Sequence, residues 1–213
     1  MIIMISSIKS PILITGASGF IGSNLVRRLV NDGNNDIHLI LRNNNHFWRI
    51  NDVLPEVNVI PVDLVDRAEI FHCIKQLKPK TIFHLAAYGA YSFQNEMENI
   101  EAVNLHGTIN LLEACIENGF EIFINTGSSS EYGFKNQPMK ESDILEPNSY
   151  YALFKSVATN YCQYLARSNK LPIITLRPFS VYGQFEESTR LVPTLISSLM
   201  KNECPPLVSP ETA

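Results

Sequence analysis

A chain of 213 residues, 45% of them hydrophobic and 18% charged, can bury a full core, which excludes a disordered polypeptide and suits one large domain or a domain with a small appendage. The net charge of -4, with basic residues scattered rather than clustered, leaves no electrostatic footprint for a nucleic acid. The four cysteines, Cys73, Cys115, Cys162 and Cys204, lack the close pairs that structural zinc or a dithiol site needs; they read as reduced core thiols, and no metal is expected. Apolar Met1 to Ile5 is interrupted by Ser6, Ser7 and Lys9, so neither a signal peptide nor a membrane span of about 18 residues is expected, and the sequence reads as cytoplasmic.

In chain order, apolar β-branched runs at 12–14, 37–41, 57–62, 81–85, 121–125 and 172–176 alternate with longer stretches of helical spacing. This alternation predicts an α/β fold: a doubly wound parallel sheet, covered on both faces, with its ligand crevice at the carboxyl ends of the strands. The first run, Ile12-Leu13-Ile14, enters Gly16-Ala17-Ser18-Gly19-Phe20-Ile21-Gly22 and leaves into a helical stretch from Ser23 to Leu29. Three glycines spaced by three permit a tight turn, a close approach to a pyrophosphate and close packing of helix on strand, while the helix N-terminus offers free N–H groups to the anion. Chance supplies that spacing on the order of 0.02 times at this glycine content, so the stretch reads as a dinucleotide site of Rossmann type, held by Gly16, Ser18, Gly19, Phe20, Ile21 and Gly22.

Residues 43–56 show no clear period and read as a loop with a short helix around Trp48. The fifth run ends in a hydroxyl-rich turn, Thr126-Gly127-Ser128-Ser129-Ser130-Glu131-Tyr132-Gly133, where serine can donate to a carbonyl or alkoxide oxygen. Tyr151-Ala152-Leu153-Phe154-Lys155 then opens an amphipathic helix, and spacing of four places phenol and ammonium on one face. A nearby Lys⁺ favours the phenolate and lowers a tyrosine pKa from its reference of about 10, making it a usable acid or base near neutrality. Roughly 0.3 such pairs arise by chance in this composition, so the pair gains meaning only from the serine turn upstream. Together they supply what hydride transfer at a secondary alcohol requires. From Phe179 onward the alternation breaks into Gly, Pro and one helix-like stretch, 190–201, which separates a dinucleotide-binding domain, 1–178, from a smaller region, 179–213.

The ordered set of Thr15 to Ser23, Asp63-Leu64, His84-Leu85-Ala86-Ala87, Asn104 to Ala114, the serine turn, Tyr151 to Lys155 and Leu176 to Gly183 resembles the extended short-chain dehydrogenase/reductases. The likeness is to their nucleotide-sugar epimerase, dehydratase and reductase branch and runs from about Pro11 to the last residue. It implies that Tyr151 is the catalytic acid/base, that Lys155 also holds the nicotinamide ribose, and that Ser128, with Ser129 as the next candidate, is the hydroxyl partner. It further implies Asp63 and Leu64 at the adenine, Leu85, Ala86, Ala87 and Tyr88 along the cofactor path, and Pro178, Phe179 and Ser180 near the nicotinamide. His84 and Asn104 are assigned to structure, because buried polar side chains more often satisfy backbone groups than do chemistry.

Where the resembling enzymes carry Asp for the ribose 2′-OH, this sequence has Arg42, allowing two extra residues at Asn34-Asn35. A guanidinium binds a 2′-phosphate that a carboxylate repels, so NADP is favoured over NAD. NADP tilts the expected reaction toward net reduction, with a 4-keto-6-deoxy nucleotide-diphosphate sugar as substrate. The alternatives are an NAD-dependent nucleotide-sugar 4-epimerase, for which Ser, Tyr and Lys suffice, and a non-catalytic dinucleotide-binding module. Against 4,6-dehydration, Ser129 and Ser130 replace the family's acidic pair, and Glu131 falls one residue later, on the wrong side of the turn. The resemblance stops before the family's substrate-enclosing segment, so 179–213 reads as a partial substrate-binding region and these 213 residues are expected to bind cofactor with poor turnover. It also allows a homodimer through the helices containing 98–117 and 151–168.

Overall fold

The structure is a computed structural model that describes residues 8–42, 47–90 and 94–205. Six strands, β1 (Ile12–Thr15), β2 (Ile37–Ile40), β3 (Asn58–Ile60), β4 (Thr81–His84), β5 (Ile122–Thr126) and β6 (Ile173–Leu176), form one sheet in the order β3-β2-β1-β4-β5-β6. Every neighbouring pair is parallel. Each of the six apolar runs thus holds a strand, and the doubly wound α/β sheet is present. Parallel neighbours require long crossovers, which here carry α1 (Phe20–Asn31), α2 (Arg67–Leu77), α3 (Met97–Glu101), α4 (Gly107–Asn118) and α5 (Tyr150–Ser168). A single π-helical turn, Ala102–His106, joins α3 to α4.

Chain order reverses at β1, which has β2 on one side and β4 on the other, the point at which doubly wound sheets place their ligand crevice. Thr15 stands level with Ile40 and His84, and His84 with Asn125. The chain leaves the sheet along this one edge, after Thr15, Ile40 and His84 and, one residue further on in β5, after Thr126.

Period-two alternation sends Ile12 and Ile14 to one face of the sheet and Leu13 to the other. The first face packs with Ile37 and Leu39 of β2 against Val26 and Leu29 of α1. On the second, Leu13, Ile82 and Phe123 meet Ile70 and Ile74 of α2, Leu111 and Leu112 of α4, and Cys162 of α5. Each such aliphatic or phenyl side chain contributes roughly 1.5–3 kcal/mol when removed from water, so the strands are clamped from both sides. Local signals set the helix starts. The Asp66 carboxylate accepts the Glu69 N–H at 2.9 Å to cap α2, and the Ser149 hydroxyl accepts the Ala152 N–H at 3.2 Å to start α5 immediately ahead of Tyr150 and Tyr151.

Two features differ from the sequence pattern. The short helix of the 43–56 stretch is a 3₁₀ turn at Leu54–Glu56 with Pro55 near its start, whereas Trp48 lies in a turn; residues 43–46 fall outside the described ones. Cys73, Cys115 and Cys162 are buried thiols, but Cys204 is exposed. The chain divides into two compact units, Met1–Phe179 and Ser180–Ala213, and the second contains α6 (Leu191–Met200). Among the described residues no helix is long and apolar enough to cross a membrane.

Candidate active site

The glycine turn is built for close approach. Gly16 has φ +71°, and a Cβ on it would lie 2.5 Å from the Ala86 backbone nitrogen; a Cβ on Gly22 would lie 2.2 Å from the Gly16 carbonyl oxygen. These two positions therefore pack strand, turn and helix together. Gly19 is less constrained, at 3.2 Å from the same oxygen, and donates its N–H to it at 3.1 Å. No side chain caps α1 and its first turn contains no acid. The amides of Phe20, Ile21 and Gly22 precede the first helical bond, Ser23 N–H to Gly19 O, and so remain available to an anion. A cradle that a Cβ would fill, next to an uncapped helix start, fits the pyrophosphate of a dinucleotide.

Beside this turn, a buried chain of hydrogen bonds fixes the segment after β4. The Thr15 hydroxyl accepts the Ala86 N–H at 3.3 Å and lies 2.7 Å from His84 Nδ1; His84 Nε2 lies 2.9 Å from the Thr108 hydroxyl, which itself donates to the Asn104 carbonyl at 2.7 Å. One proton arrangement satisfies every member: Nε2 carries the hydrogen and Nδ1 accepts from Thr15. Burial, and secondarily the Lys155 charge, push the His84 pKa down to about 3, so the ring is neutral. Asn104, on the π turn, clamps Tyr88 through both backbone groups, N–H to Oδ1 at 2.9 Å and Nδ2–H to O at 2.7 Å. A π turn re-aims a helical side chain by inserting one residue, and here it aims the Asn104 amide at this loop.

The serine turn leaves β5 as a 3₁₀ turn, Ser129–Tyr132, with Ser128 as its cap. The buried Ser128 hydroxyl accepts the Ser130 N–H at 3.1 Å, which leaves its own proton to donate. From the first turns of α5, Lys155 reaches the Thr126 carbonyl at 2.6 Å and is 3% exposed. Burial lowers its pKa to about 8, against an opposing pull from Glu131. Tyr151 is half-buried, one helical turn before Lys155. Glu131 is fully buried: Oε1 accepts the Ser128 N–H at 2.7 Å and the Thr159 hydroxyl at 3.1 Å, and Oε2 accepts Arg177 Nε–H at 2.9 Å.

Other residues singled out from sequence are distributed along the same edge. Arg42 follows β2 and is exposed, within electrostatic reach of the Tyr88 hydroxyl, which donates to Glu96 at 2.8 Å. Asp63 follows β3, and its carboxylate accepts the Val65 N–H at 3.1 Å. Leu64 is buried in the core, with its carbonyl accepting from Asn110 at 3.0 Å, so its side chain is directed into the packing. Leu85 and Ala86 are partly buried, Ala87 is exposed, and the Pro178 carbonyl accepts the Ser129 N–H at 3.1 Å. Sequence reasoning missed the Glu131–Arg177–Thr159 cluster. A signal was present, for Ser128-x-x-Glu131 is a capping box, and its glutamate turns inward to bond the cap.

Comparison with known proteins gives concordant results. Residues 12–212 match the NAD dependent epimerase/dehydratase family. The chain is 32% identical over 193 residues to an uncharacterized UDP-glucose epimerase, YtcB, of Bacillus subtilis, covering 81% of this chain and 57% of that protein. It is 30% identical over 210 residues to the UDP-glucose 4-epimerase of Mycoplasma pneumoniae, covering 92% and 62%. A UDP-N-acetylglucosamine 4-epimerase from Methanobrevibacter ruminantium, solved with UDP-N-acetylmuramic acid, superposes with a TM-score of 0.79 at 28% identity over 91% of this chain and 64% of that one. The chain thus spans roughly three fifths of the length of these relatives. With the glycine cradle, the parallel sheet order and the serine turn in place, the chain belongs to the NAD dependent epimerase/dehydratase family.

Proposed function

We propose that these residues form the cofactor-binding and proton-exchanging part of a nucleotide-diphosphate-sugar 4-epimerase. The observation that carries this is the state of Glu131. A 4,6-dehydration needs a carboxyl group to work at the sugar, and the acid of the serine turn is 0% exposed, with its oxygens committed to Ser128, Thr159 and Arg177. The other groups assigned to this site are the Ser128 hydroxyl, the Tyr151 phenol and the Lys155 ammonium, sufficient for oxidation and re-reduction at one carbinol carbon. When bound, NAD would supply the hydride-accepting and hydride-donating chemistry. Tyr151 takes the proton of the 4-hydroxyl as the carbonyl forms and restores it as the hydride comes back. Ser128 donates to the same oxygen, and Lys155 supplies positive charge beside it. The relatives named as UDP-sugar epimerases support the choice of substrate class.

The chain incubated with NAD and UDP-glucose or UDP-galactose is expected to interconvert the two slowly, in line with the poor turnover expected of these 213 residues, as resolved by chromatography. Tyr151→Phe should abolish conversion while cofactor affinity stays within a few-fold. Accumulation of a 4-keto-6-deoxy product, or unaltered conversion by Tyr151→Phe, would refute the assignment. A second reading is favoured by Arg42, since no carboxylate occupies the sequence from Arg42 to His46 where a ribose 2′-OH partner is expected. It is NADPH-dependent reduction of a 4-keto-6-deoxy nucleotide-diphosphate sugar. Tighter binding of NADPH than NADH, with loss of NADPH absorbance on adding such a sugar, would select it.

A further inference from the structure

Glu131 lies under the serine turn, and its carboxylate ties together three parts of the fold: Ser128 at the end of β5, Thr159 on α5 and Arg177 just past β6. Arg177 also donates to the Tyr132 hydroxyl at 2.9 Å and sits 5.0 Å above that ring. The backbone is shaped around this carboxylate, for a Cβ on Gly127 would stand 2.4 Å from Oε1. Stability alone does not account for such a pair, because well-packed apolar residues of equal volume serve as well or better. What the pair provides is fixed geometry and a fixed negative charge.

We infer that Glu131, clamped by Arg177, is a positioning residue of this site, holding Ser128 in place relative to α5 and acting as the anionic partner of Lys155. The inference rests on the assignment of Ser128 and Lys155 to the oxygen whose proton Tyr151 exchanges. Lys155 lies one helical turn before Thr159, and the groups in electrostatic contact with it include Glu131 on the turn, Cys162 on α5 and His84 on β4. Burial and Glu131 raise the Cys162 thiol to about 12 while burial lowers His84 to about 3, so both are neutral near pH 7. Of the three, Glu131 makes the largest contribution opposing the cost of burying the Lys155 charge, with Cys162 second. Removing its charge removes this offset and pushes a proton off Lys155.

The test follows Lys155 by NMR through its ¹³Cε resonance across a pH titration, in the wild type, Glu131→Gln and Gly127→Ala. In Glu131→Gln the Lys155 midpoint should fall by about one unit, and kcat for nucleotide-sugar conversion by about tenfold or more with KM little changed. Gly127→Ala keeps every charge and displaces the carboxylate, so it should lower kcat with a smaller movement of the midpoint. It also carries the test if Glu131→Gln fails to fold, as judged by circular dichroism and retained cofactor binding. An unmoved Lys155 midpoint in Glu131→Gln overturns the inference, as does unchanged kcat in both variants. If the wild type converts no nucleotide sugar, the poor turnover expected of these 213 residues accounts for it, and the titration by itself decides whether Glu131 is the charge partner.

Discussion

His84 makes a sharp prediction about acid stability. In the fold its pKa is pushed to about 3 from an ordinary 6.5, so the folded chain refuses a proton that the unfolded chain accepts. Stability is therefore fully present above pH 6.5 and is lost as pH falls below it, because the unfolded state binds more protons throughout that window. Between about pH 7.5 and pH 5 the loss is RT ln(1 + 10^1.5), about 2 kcal/mol, and it is insensitive to the exact folded value because both limits lie well above pH 3. For a chain of this size that corresponds to about 4–8 °C in Tm. Protonation of Nδ1 also removes the acceptor of the Thr15 hydroxyl, which holds the Ala86 N–H at the crevice. His84→Gln stays neutral at both pH values, so its unfolding free energy should fall by about 2 kcal/mol less than that of the wild type over the same interval. Urea unfolding followed by circular dichroism at the two pH values gives the double difference, in which carboxylate titrations cancel. Equal pH dependence in both proteins would show that His84 is not held neutral by its buried bonds.

Gly22→Ala places a Cβ 2.2 Å from the Gly16 oxygen and should cost about 1–3 kcal/mol and most of the NADH affinity, whereas Gly33→Ala, with nothing within 4 Å, should leave affinity intact; fluorescence titration of NADH compares them. Arg42→Ala should lower NADPH affinity by about tenfold and leave NADH unaffected, if the guanidinium meets a 2′-phosphate. Lys155 titrates near 8 in the fold against 10.5 ordinarily, so the unfolded chain holds more protons between those values and stability should rise with pH across that window; Lys155→Met should remove the rise, as read by unfolding midpoints.

The geometry of the glycine turn is legible from spacing alone, because tight turning and close approach are demands on individual backbone positions. The strands were equally legible: a sheet buried on both faces needs continuous apolar runs, as in Ile12-Leu13-Ile14, all 0% exposed. Where the 43–56 segment turns was not legible, since a 3₁₀ turn of three residues has no period to detect.

Glu131 shows the limit most clearly. Its place in a capping box is a local property written in Ser128-x-x-Glu131, but its partners Thr159 and Arg177 lie 28 and 46 residues away and meet it only because α5 and the end of β6 converge on one strand end. The same holds for His84, whose neutral state depends on Thr15 and Thr108, 69 and 24 residues distant. Spacing, periodicity and cap residues act through neighbouring backbone and are carried by the sequence itself. Charge state and the partner of each buried polar group depend on which distant side chains exclude water from it, and only the tertiary structure decides that.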